Sequence, residues 1–218
     1  MGDTRNPNRR SDDRRRSELI EAAYRVIARD GVAAATTRRI AEEAGVPGGL
    51  VHYWFADKDE LFHEVAAANL GSIRSASMAA IEGGNDLLDQ FREFFRIIEQ
   101  VKRGHLIMTY EMTTWALRKP KSAALAEEQY TAYRQVAVKG ASAWTAATKA
   151  QLPADTSVVG QFLSSLFDGL VLSWIADPDN TDVDGVLRLV DALMTQFAPE
   201  PSGTSSREKP GPTDSEGP

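Results

Sequence analysis

The chain has 218 residues, 42% of them hydrophobic, enough to build one large domain or two small ones. It contains no cysteine, which excludes disulfides, thiolate catalysis and cysteine-based zinc sites and fits a cytoplasmic protein, and no run of 18 apolar residues predicts a membrane span. The net charge of −6 is unevenly spread: residues 1–61 hold 11 basic and 11 acidic side chains, so the whole acidic excess lies beyond them.

Residues 1–13 read as a flexible basic arm. Six arginines face three aspartates within the first 16 residues, which suits phosphate or the minor groove. No apolar segment follows to make a secretory signal. A helix is predicted from about Ser17 to Ala28, with Leu19, Ala23, Val26 and Ile27 as its apolar stripe and Asp30-Gly31 as its end.

Residues 36–61 are the most informative stretch. Thr36 and Thr37 suit a helix N-cap, and Ile40, Ala41 and Ala44 form one apolar face opposite Arg38, Arg39, Glu42 and Glu43. Gly45 stands where a helix end wants a left-handed residue, and Pro47 suits the start of the next helix. That helix runs through Leu50, Val51 and Trp54 to about Phe55. Asp57 and Glu60 have capping-box spacing, which places Lys58 in the first turn of a further helix. A lysine there opposes the helix dipole unless an anion binds beside it. The pattern is a helix-turn-helix, with its second helix presented to the major groove.

Residues 14–65 resemble the DNA-binding domain of the TetR family of bacterial transcriptional regulators, through TTRRIAEEAGV, HYWF and the following DKDEL. The resemblance implies that Thr37 and Arg38 touch phosphate or a base edge. It places Pro47, Gly48, Gly49 and Leu50 towards base edges, His52 and Tyr53 at the backbone or outer bases, and Lys58 on phosphate. Many relatives carry a polar or basic residue at Gly48 and a hydroxyl at Leu50. Here Leu50 would meet a thymine methyl and the glycines would permit close backbone approach, leaving specificity to Arg38, His52 and DNA shape.

Beyond residue 57, helices are predicted to about 81, then over 86–102, 104–118, 121–151, 155–176 and 182–198, with a break at Gly83-Gly84-Asn85. No alternating strand pattern occurs, so the fold class is all-α with about nine helices. The expected division is an N-terminal DNA-binding domain at 14–65, an effector-binding and dimerisation domain at 66–198, and a disordered tail over 199–218.

The middle helices are rich in Phe, Tyr, Trp and Met. The resemblance puts the effector pocket there, and Phe94, Met108, Glu111, Met112, Trp115, Tyr133, Trp144 and Phe167 are the candidate ligand residues. A mostly apolar, ring-bearing molecule is expected. A cationic one would use the faces of Trp115 or Trp144 with Glu111 as counter-charge. Asp168, inside an apolar run, is a second carboxylate that suits a cationic or hydroxyl-bearing ligand. The last two helices carry wide apolar faces. The resemblance implies that they pair with their copies in a homodimer, through Phe162, Leu166, Leu170, Trp174, Val186, Val190, Leu193 and Phe197.

His52, His63 and His105 lack metal-ligand spacing, so neither metal nor cofactor is expected. The sequence holds no G-x-S-x-G elbow and no phosphate-binding glycine loop, which argues against an enzyme. The leading expectation is a repressor that a small molecule releases from palindromic operator DNA. The competing one is a protein-binding helical module, kept open by the weak base-reading side chains at 47–50.

Overall fold

The computed structural model describes residues 7–83 and 87–199. Among them nine α-helices account for the ordered elements: α1 (Pro7–Asp30), α2 (Thr37–Ala44), α3 (Gly49–Trp54), α4 (Lys58–Gly83), α5 (Leu87–Gln100), α6 (Arg103–Leu117), α7 (Ala123–Thr148), α8 (Thr156–Ala176) and α9 (Val183–Thr195). The all-α expectation holds. The first helix is longer than expected, because α1 starts at Pro7 and takes in residues 7–13 of the anticipated arm. Proline suits the first helical position, no glycine interrupts the segment, and Arg14 pairs with Glu18 one turn on at 3.0 Å. Residues 1–6 of that arm and 200–218 of the expected tail lie outside the described residues.

Helices α1, α2, α3 and the start of α4 enclose a core of Leu19, Val26, Ile27, Ile40, Val51, Phe55, Leu61 and Phe62. This core is completed from outside the anticipated DNA-binding domain. Met108 and Met112 of α6 are fully buried in it, and Trp115 stands edge-on to Phe62 with ring centroids 5.6 Å apart. A second apolar layer lies between α5, α6, α8 and α9, and a third joins α7, α8 and α9. α8 is long and apolar enough to cross a membrane by length and composition alone, a test that the core helix of a soluble protein also passes. Seven of its residues, from Val159 to Ile175, are nevertheless buried against the other helices.

Two close approaches set the helix spacing. A Cβ at Gly104 would run into the Ala28 carbonyl oxygen, so the start of α6 meets the end of α1 backbone to backbone. A Cβ at Gly160 would strike Val138 and so wedge α8 from α7. Gly104→Ala and Gly160→Ala are each expected to cost about 1–3 kcal/mol through overpacking. Thermal unfolding followed by circular dichroism should show each variant melting several degrees below the wild type, at roughly 2–4 °C per kcal/mol for a chain this size.

Candidate DNA-binding surface and ligand cavity

The reading head is built from local capping. Thr36 Oγ1 accepts the Arg39 N–H at 3.2 Å. Gly45 sits at φ +67°, where glycine is favoured, and lets the Val46 N–H reach back to the Ala41 carbonyl at 3.0 Å. α3 then begins at Gly49 and is pinned by Val51 and Phe55, both buried. Asp57 Oδ1 accepts the Glu60 N–H at 2.8 Å, one half of a capping box, while the Glu60 carboxylate reaches one residue further and takes the Ala56 N–H at 2.6 Å.

This construction leaves Arg38, Pro47, Gly48, Gly49, His52 and Tyr53 exposed, Tyr53 at 73%, with Thr37 and Leu50 half-buried beside them. Added Cβ atoms at Gly48 or Gly49 would meet nothing within 4 Å, so neither glycine is required by packing within the chain. The cations around this surface differ in their partners. Arg25 and Arg29 bond Glu43 at 2.9 and 2.8 Å, and hydrogen bonds from these guanidiniums hold the Glu43 carboxyl below its usual range. Those charges clamp α2 to α1. Among the described residues Arg38 reaches only Glu42, at 3.8 Å with both groups exposed, a contact worth little. Lys58 Nζ lies 4.9 Å from the centre of the Phe62 ring, without an ion pair among the described residues.

A cavity of about 230 Å³ lies among α1, α4, α5, α6, α7 and α8. Phe91, Phe94, Tyr110, Tyr133 and Phe167 give it aromatic walls, with Leu106, Leu163 and Val171 between them. Phe167 is central: Phe91 stacks on it at 4.9 Å and Phe94 meets it edge-on at 5.1 Å. The polar residues of the wall, Tyr110, Tyr133 and Asp168, are joined by hydrogen bonds to each other and to residues behind them. Tyr110 and Tyr130 donate to the two carboxylate oxygens of Asp168 at 3.1 and 2.9 Å. Gln129 donates to the Tyr133 hydroxyl at 3.0 Å and accepts from Thr113 at 3.0 Å. Burial, reinforced by Asp168, pushes the Tyr110 phenol far up, and the same causes lift Tyr130 to about 12, so both remain neutral donors near neutral pH. Burial, with Lys102 nearby, lowers His105, which lines the wall and packs on Tyr24 of α1 at 5.1 Å.

Of the expected ligand residues, Phe94, Tyr133 and Phe167 line this cavity. Met108, Met112 and Trp115 project from the opposite side of α6 into the DNA-binding core. Glu111 accepts the Val32 N–H at 2.8 Å and so ties α6 to the turn before α2. Trp144 belongs to the separate α7–α8–α9 cluster. Phe91, Tyr110, His105 and Tyr24 were not singled out as ligand residues; only the aromatic density around Phe91 and Tyr110 hinted at them. Among the expected dimer residues, Phe162 and Leu193 are exposed at 55% and 46%. Leu166, Trp174, Val186 and Phe197 are half-buried, whereas Leu170 and Val190 are core residues. The exposed apolar face runs instead through Val158, Phe162, Leu172, Leu189 and Leu193.

Residues 19–65 match the family model for bacterial regulatory proteins of the tetR family. Over 184 residues the chain is 32% identical to the nicotine-responsive transcriptional repressor HdnoR of Paenarthrobacter nicotinovorans, covering 83% of this chain and 94% of that one. The chain belongs to the TetR family. The fold agrees with a transcriptional regulator from Saccharomonospora viridis solved with choline, at TM-score 0.68 and 19% identity over 85% of this chain and 98% of that one. It also agrees with the multidrug binding protein EbrR solved with ethidium, at TM-score 0.63 and 23% identity over 85% and 99%. This TetR-family chain is a DNA-binding transcriptional repressor and not an enzyme.

The Glu111 contact is a charged hydrogen bond between the two halves of the molecule. Glu111→Ala leaves the Val32 N–H without its acceptor and is expected to lower stability by about 1.5–3 kcal/mol. Chemical denaturation should show that loss, with Glu111→Gln recovering part of it.

Proposed function

We propose that this repressor binds palindromic operator DNA as a homodimer and is released when a ring-bearing small molecule enters the cavity. The observation that carries the reading is the placement of α6: one side completes the DNA-binding core through Met108 and Met112, and the other lines the cavity through Leu106, Thr109 and Tyr110. A molecule that fits the cavity better in one setting of α6 biases the setting of the reading head. Support for a ligand comes from relatives whose names record nicotine, choline or ethidium. In this reading Arg38 and His52 help to read sequence, while Thr37, Tyr53 and Lys58 hold the backbone. Pro47, Gly48, Gly49 and Leu50 lie against base edges.

The proposed dimer uses the exposed face of α8 and α9, which supplies the second reading head that a two-fold operator needs. A charge at Phe162 or Leu172 should yield folded monomer by light scattering and abolish operator binding together, whereas a wild-type monomer at micromolar concentration overturns the dimer.

Two further outcomes test the DNA surface and the release. Lys58→Ala should weaken all DNA alike and reduce the salt slope of binding by about one unit; an unchanged slope removes its phosphate role. Gly49→Ala should stabilise the free chain by up to about 1 kcal/mol, since helical glycine is costly. It should weaken operator binding all the same if the backbone approaches the bases closely. For release, a panel of ring-bearing metabolites and drugs is titrated against the complex with labelled operator, read by fluorescence anisotropy. Ala137→Phe, which fills the cavity from α7, should bind operator normally and lose the response. A full response in that variant places the effector elsewhere.

A further inference from the structure

The cavity has a defined charge character. Among the described residues no lysine or arginine lines it, and Asp168 is the one carboxylate. Among the described residues Asp168 forms no ion pair; its partners are neutral phenols, Tyr110 on one oxygen and Tyr130 on the other. A carboxylate offers about four acceptor positions, so two donors leave it unsaturated. A half-buried anion without a counter-cation is costly in an apolar wall, and a positively charged guest removes that cost. The rest of the wall suits the same guest. Phe91, Phe94, Phe167, Tyr110 and Tyr133 present aromatic rings, whose faces attract cations. His105, the ionisable nitrogen base among the described wall residues, is shifted towards its neutral form by burial and adds no competing charge near neutral pH.

We infer that the cavity selects ring-bearing organic cations, amines or quaternary ammonium compounds, with Asp168 as the counter-charge and the surrounding aromatic rings as the cage. This rests on the cavity being the effector site of the proposed function. Of the two carboxylates that the sequence offers to a cation, it takes Asp168 of α8 over Glu111 with its neighbouring Trp115 and Trp144 faces. Glu111 is already committed to Val32, and the two tryptophans are packed in other cores.

Matched pairs that differ only in charge test the inference on the full chain by calorimetry: phenyltrimethylammonium against tert-butylbenzene, and 5-methylphenanthridinium against phenanthridine. The wild type should bind the cation of at least one pair at least about tenfold more tightly than its neutral partner, as expected for a charge-assisted contact in a partly desolvated site. Asp168→Asn, checked for an intact melt, should erase that preference and leave neutral binding within a few-fold. Tyr130→Phe removes one neutral donor but not the charge, and should keep the preference or raise it. The inference is overturned if the neutral partners bind as tightly, if the preference survives in Asp168→Asn, if Tyr130→Phe loses as much as Asp168→Asn, or if no cation binds saturably at millimolar concentration. The same titrations with operator present separate the two readings. A cation that binds through Asp168 but leaves operator affinity untouched supports the charge assignment and sinks the release. A neutral compound that releases operator equally well in wild type and Asp168→Asn does the reverse.

Discussion

The structure depends on α6 serving two cores at once. Met108, Met112 and Trp115 close the interior of the DNA-binding domain, and without them Phe62 and Leu61 would face water. Burying each such side chain contributes about 1.5–3 kcal/mol, so the domain boundary near residue 65 is not an energetic boundary. The backbone contact of Gly104 with Ala28 and the Glu111 bond to Val32 fix the same helix to the end of α1 and to the turn that follows it. The opposite side of α6, with Leu106, Thr109 and Tyr110, belongs to the cavity. A rigid element that is first in one packed core and then in another is where a small displacement becomes a change in reading-head geometry.

What was legible in the sequence was local. The Thr36 cap and the left-handed Gly45 each specify geometry within four residues and stand in the structure as read, as does the Asp57 half of the Asp57–Glu60 box. The helix count followed from the same punctuation. What was not legible was which helix faces meet. Met108, Glu111, Met112 and Trp115 share one side of α6 at helical spacing, and spacing alone does not say whether that side adjoins a cavity or another domain. The same gap explains Leu170 and Val190, which carry the right periodicity but point into the chain, while Leu172 and Leu189 carry the exposed face. Residues 7–13 are helical although their clustered charge suggests a flexible arm, because arginine is a good helix former and Pro7 a good start.

α8 gathers the remaining function. Its side towards α7 is packed so closely at Gly160 that only glycine fits, and its next side gives the cavity Leu163, Phe167, Asp168 and Val171. Its outer side holds Val158, Phe162 and Leu172. The proposed ligand and the proposed dimer partner therefore meet the same helix through adjacent residues, Leu163 beside Phe162 and Val171 beside Leu172. Such an arrangement needs little energy to act: a tenfold change in operator affinity corresponds to about 1.4 kcal/mol of coupling.

The central claim is that cavity and reading head are coupled through α6, and thermodynamic reciprocity tests it most directly. The affinity of one releasing compound is measured by calorimetry for the free repressor and for the repressor saturated with operator, beside the loss of operator affinity that the compound causes. The account predicts that both losses are the same factor, and that Glu111→Ala, which loosens α6 from the Val32 turn, shrinks both together. A compound that occupies the cavity with one affinity whether or not operator is bound contradicts the account.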